Sequence, residues 1–118
     1  MTDAIAPDGS GIRVLVSDAQ RASLVEVTLP AGAVSRPVRH RTVEEIWFFL
    51  EGAGRVWVGG AVIGVGPGSR VVIPTGRPFQ FAASGAGRLR FLCYTSPPWP
   101  GEQEAEAVAE GGLGPPTV

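Results

Sequence analysis

The chain has no lysine: all ten of its basic residues are arginine. Set against eleven acidic residues they leave a net charge of -1. No basic field exists to gather a nucleic-acid backbone or an anionic membrane surface. Cysteine is nearly absent. Cys93 stands alone, which excludes an internal disulfide and a thiolate zinc cluster. Histidine is equally scarce, with His40 the only one. No apolar run approaches the roughly 18 residues that a membrane-crossing helix needs. The first residues, Met1 to Ile5, lack the basic and apolar regions of a secretory leader. Together these absences point to a soluble cytoplasmic protein with no nucleic-acid and no membrane partner.

Glycine and proline are abundant, at seventeen and eleven residues. They punctuate the chain at roughly the 8- to 12-residue spacing of an all-β protein. The runs between them are rich in Val, Ile, Phe and Trp, and no segment before residue 101 holds helical periodicity for long. A chain of 118 residues makes one domain. The predicted organisation is an N-terminal arm over 1–10, a β body over 11–100 and an acidic tail over 101–118, partly disordered. Strands are expected over 12–17, 22–29, 34–40, 45–50, 69–73, 79–81 and 89–95. A hairpin turns at Gly59-Gly60 between 55–58 and 61–65. Residues 103–110 are acidic and Ala-rich, enough for two helical turns, and 111–118 are expected to fray.

One stretch organises the rest. His40 and Glu45 stand at the head of the apolar run Ile46, Trp47, Phe48, Phe49 and Leu50, which ends at Gly52. Polar, ionisable groups entering such a run mark a pocket, because burying them needs a partner or a purpose. The run is apolar without alternation, so both faces of its strand should be covered. One face can line an interior. The other calls for a second sheet or a second subunit, and a homodimer is expected.

These landmarks resemble the cupin superfamily of small β-barrels. Gly32, Val38, His40, Glu45 and Gly52 fall in the spacing of the first cupin motif, with Val38 where the first His would stand. Gly68, Pro74 and Gly76 fall in the spacing of the second, with Phe79 at the His position and Ala83 at the Asn position. The resemblance implies an all-β cupin barrel, a double-stranded β-helix of jelly-roll type, over 11–100. In cupins that bind a metal, three His and one Glu hold it at the barrel centre. Here Val38 and Phe79 replace two imidazoles, and two remaining ligands are fewer than the about three that a catalytic first-row metal wants. No metal and no cofactor are expected.

His40 and Glu45 would still meet in the cavity. An apolar surround raises a carboxyl pKa, and a nearby carboxylate raises that of an imidazole. Such a pair can move protons near neutrality. That chemistry suits a metal-independent, non-redox lyase, isomerase or cyclase step on a small organic molecule, in small-metabolite or natural-product metabolism. His40 and Glu45 are the catalytic candidates. Val38, Trp47, Phe49, Phe79 and Phe81 would shape the pocket, and Arg39 or Arg41, flanking His40, would clamp a carboxylate at its mouth. The same residues admit other readings. His40 can be a structural histidine bonded to Glu45, Phe49, Phe79 and Phe81 can be plain core, and the arginines a solvated face. The barrel can also be a ligand-binding module without turnover, or a dioxygenase-like metalloenzyme with an unusual ligand set. Only one of Cys93 and Tyr94 can face inward. Trp99 is expected to pack the tail onto the barrel.

Overall fold

Short β-branched and aromatic runs between glycine turns fold into eleven strands in the computed structural model, which describes residues 2–118. In chain order they are β1 (Ala4–Ile5), β2 (Gly11–Val16), β3 (Ser23–Leu29), β4 (Val38–His40), β5 (Glu44–Glu51) and β6 (Ala53–Val58). They continue with β7 (Ala61–Val65), β8 (Arg70–Ile73), β9 (Phe79–Ser84), β10 (Leu89–Ser96) and β11 (Ala105–Ala107). All pairings are antiparallel. One sheet runs β1-β2-β3-β10-β5-β8 and the other β11-β4-β9-β6-β7. The two faces that meet form an all-β cupin barrel. Among the described residues no helix is long and apolar enough to cross a membrane.

Register decides what the interior contains. Inward residues of β3, β10, β5 and β8 line up in rows across the first sheet. One row is polar: Ser23, Thr95, Glu45 and then Ile73. The next is Val25, Cys93, Trp47 and Val71, and beyond it lie Val27, Phe91 and Phe49. The barrel therefore grades from a polar end to a hydrocarbon end. Trp47 is the hub of the aromatic core, stacked on Phe91 at 4.4 Å and edge-on to Phe79 and Phe81 at 5.4 and 5.1 Å. Such contacts contribute about 0.5–1.5 kcal/mol each beyond area burial. Gly52, at φ +84°, ends β5 where a Cβ would run into the Arg88 carbonyl. Only glycine takes that conformation without strain and without that clash.

The structure bears on three expectations. β5 alternates in exposure despite its unbroken apolar sequence: Ile46 is 47% and Phe48 42% exposed, while Trp47 and Phe49 are buried. Within one chain the outer face is bare. Residues 103–110 form no α-helix. A 3₁₀ turn over Glu102–Glu104 leads into β11, which pairs with β4. Open backbone groups on the β4 edge outweigh the weak helix propensity of so short a segment. The last residues are hydrogen-bonded to the barrel. Leu113 N–H donates to Gln80 Oε1, Gln80 Nε2 donates to the Gly114 carbonyl, and Thr117 N–H donates to the Val34 carbonyl. The tail buries Gln80, the outward side chain of β9, and satisfies its amide.

Candidate functional site

A cavity of about 320 Å³ opens at the polar end of the barrel. Strand β5 delivers Glu45 and Trp47 to its wall, β4 delivers Val38 and His40, and β10 delivers Phe91, Cys93 and Thr95. The N-terminal arm folds back through β1 and a turn at Ala6–Ser10 to form the outer wall with β2. The Pro98-Trp99 segment and Ala105 complete it.

Glu45 is held on both oxygens. The indole N–H of Trp47 donates to Oε1 and the hydroxyl of Thr95 donates to Oε2, each at 2.9 Å. Alternation places residues 45 and 47 on the same strand face, so the sequence itself brings donor to acceptor. His40 is 4% exposed. Its ring sits edge-on between Phe79 and Trp99, at 5.0 and 5.2 Å, and its Nδ1 is buried without a hydrogen-bond partner. Among the described residues no hydrogen bond joins His40 to Glu45. A buried polar atom left unpaired costs about 1–3 kcal/mol. In native proteins such atoms go with strain, a functional role or a bound water or ion.

Asp8 enters the same cavity from the arm, a residue the sequence reading missed. Its Oδ1 accepts from the Ser10 backbone N–H at 2.9 Å and from the Ser10 hydroxyl at 2.6 Å. The Asp8 carbonyl accepts from Arg36 N–H, which ties the arm to the chain ahead of β4. The carboxyl keeps some surface on the cavity but is crowded by protein. Desolvation raises its pKa. The Ser10 bonds oppose that, the charge of Glu45 adds to it and His40 lowers it. Cys93 faces inward and Tyr94 outward. Burial, and then the charge of Glu45, push the Cys93 thiol well above its ordinary value, and its Sγ lies 3.5 Å from Thr95 Oγ1.

Of the sequence-predicted residues, His40, Glu45, Val38 and Trp47 meet at the cavity. Phe49, Phe79 and Phe81 are fully buried in the core behind it and do not line it. Arg39 and Arg41 lie outside its wall. Arg39 is exposed and bonds Glu106 on β11 at 3.2 Å. Trp99, expected only to pack the tail, lines the cavity against His40.

The donor set does not fit the metal of metal-binding cupins. Among the described residues no group of three His, Cys, Asp or Glu side chains could hold an ion. Val38 and Phe79 supply hydrocarbon where two imidazoles would stand, and the Phe79 ring fills space against His40.

The family model for the cupin domain matches residues 25–95, and the chain belongs to that family. An uncharacterized protein of Methanocaldococcus jannaschii, MJ1618, is 32% identical over 99 residues, covering 80% of this chain and 79% of that one. The polyketide cyclase RemF from Streptomyces resistomycificus superposes with a TM-score of 0.72 at 25% identity, over 87% of this chain and 73% of that one. Pac13 of Streptomyces, described as a nucleoside dehydratase, gives 0.73 at 14% identity over 94% and 92%. KdgF from Halomonas gives 0.71 at 21% identity over 82% and 86%. For the last two the likeness carries the fold alone.

Proposed function

We propose that this cupin is an enzyme that carries out a metal-independent, non-redox lyase, isomerase or cyclase step on a small organic molecule, with His40 and Glu45 as its acid/base pair. The observation that carries the reading is the buried His40 ring, with no partner on Nδ1, facing an apolar cavity beside Glu45. The two bonds to Glu45 fix its carboxylate and still leave it lone pairs for a ligand. Hydrocarbon walls thin the water that would compete for the proton. The polyketide cyclase among the similar structures, at 25% identity, supports the reading without naming a substrate.

The test is proton exchange into an uncharged, enolisable ketone in D₂O, using protein dialysed against a chelator. Exchange should survive chelation and drop in both His40→Gln and Glu45→Gln. Wild-type rates in both variants would sink the assignment, and a rate that tracks added iron or manganese would overturn metal independence.

The bare outer face of β5 supports a homodimer as the working form. Ile46 lies between Tyr94 and Val72 across the ladder, with Leu24 beyond Tyr94. A second copy, placing the same face against it, buries this row on both sides.

A further inference from the structure

Among the described residues three side chains bring a carboxyl to the cavity (Asp8, Glu45 and Glu102), and no arginine lines it. A carboxylate or phosphate ligand would meet like charge with nothing to neutralise it, and desolvation would make that worse. Nor does the cavity offer an ammonium ion a free anion deep inside. Each oxygen of Glu45 already holds a donor, and Asp8 stands at the outer wall, held by Ser10, where desolvation raises its pKa. Asp8 differs from Glu45 in one further respect. Both Ser10 bonds fall on Oδ1, so Oδ2 has no partner among the described residues.

We propose that the cavity takes an uncharged small molecule bearing a carbonyl or hydroxyl oxygen, and that Asp8, presented by the N-terminal arm, is the catalytic residue that hands that oxygen a proton while His40 works as the base. This rests on the acid/base reading above for His40, gives the acid step at the ligand's oxygen to Asp8 rather than to Glu45, and adds the ligand class. For a ketone, His40 removes the proton from the carbon next to the carbonyl. The C–H pair becomes the new C=C bond, the C=O π pair moves to oxygen, and that oxygen takes the Asp8 proton. The neutral enol, imidazolium and Asp8 carboxylate result, and the reverse sequence restores all three. The groups facing Asp8 are Glu45 from β5, His40 from β4 and Cys93 from β10, with Glu102 at the wall.

The probe is 2-tetralone, an uncharged bicyclic ketone, with 2-naphthoate and 2-aminotetralin as its anionic and cationic counterparts. Binding is read by tryptophan fluorescence and exchange in D₂O by proton NMR. Wild type should bind 2-tetralone more tightly than either charged analogue and should exchange its C1 protons. Asp8→Asn keeps an oxygen for both Ser10 bonds. It should bind 2-tetralone within about twofold of wild type and exchange it about a hundredfold more slowly, the loss expected for a missing general acid. Asp8→Glu, which returns a carboxyl to the arm, should recover part of the rate. Undiminished exchange in Asp8→Asn overturns the assignment of Asp8. Tighter binding of either charged analogue, or no binding of 2-tetralone, overturns the ligand class. Bound 2-tetralone that wild type does not exchange overturns instead the acid/base reading on which the proposal rests.

Discussion

Val38 on β4 and Phe79 on β9 are direct partners across the ladder that joins the two strands. They are also the two positions where the cupin motifs would carry imidazoles, so the hydrocarbon that displaces the metal set is a single cross-strand pair beside His40. Val38→His with Phe79→His should therefore create a site for a divalent ion together with His40 and Glu45. Loss of the Phe79 ring from the core should lower stability by about 2–4 kcal/mol. Calorimetric titration with zinc checks it: saturable binding is expected in the double variant, and wild type should give none.

Trp47→Phe keeps a ring in the core but deletes the donor to Glu45 Oε1. The buried carboxylate then loses one of its two partners, which should cost about 1–3 kcal/mol. Urea unfolding should show a lower midpoint with an unchanged slope. A midpoint equal to wild type would mean that the indole bond is immaterial.

Phe48→Glu places charge on the bare face of β5. If that face joins two copies, sedimentation should give twice the mass of one chain for wild type and the mass of one chain for the variant, with the barrel's β circular dichroism intact. A variant that sediments like wild type would place the interface elsewhere.

Glu104 anchors the tail. Its carboxylate accepts from Thr42 N–H, the Thr42 hydroxyl and Val43 N–H at 2.6, 2.7 and 2.8 Å. Desolvation pushes its pKa up, but the three bonds together outweigh that and hold it below the ordinary 4.5. A depressed folded value stabilises the fold fully above the unfolded value, and the contribution is lost as pH falls through the folded one. Glu104→Gln should lose about 2 kcal/mol at neutral pH. The gap to wild type should narrow once the pH drops below 4.5. Thermal unfolding across that range checks it.

Cys93 should resist iodoacetamide at pH 8 in the folded protein and react at once in denaturant, because its thiolate is disfavoured by burial and by Glu45. Mass spectrometry before and after unfolding reads this directly.

The barrel was legible because its punctuation is local. Gly52, Gly59-Gly60 and Gly76 take the positive φ that each turn requires, whatever the rest of the chain does. His40, Glu45 and Trp47 were legible because motif spacing and strand alternation fix where they point. Asp8 was not. The only local signal, an aspartate two residues before Ser10, reads as a turn. That the turn closes a cavity depends on the arm pairing with β2, a contact that no short window contains. The tail misled for a related reason. Alanine and glutamate favour a helix in isolation, but the unpaired edge of β4 offers hydrogen bonds that a segment so short cannot match on its own. Arg39 flanks His40 in sequence, but its guanidinium pairs with Glu106 because β11 takes that edge.

The strand that carries His40 is three residues long and shares one register pair with β9, while β11 supplies three on its other side. The imidazole therefore rides on a ladder fastened chiefly by the tail. Amide hydrogen exchange at residues 38–40 should follow undocking of the tail rather than global unfolding. A fusion or truncation that displaced β11 would free the edge of the strand carrying the imidazole and would remove Ala105 from the cavity wall as well.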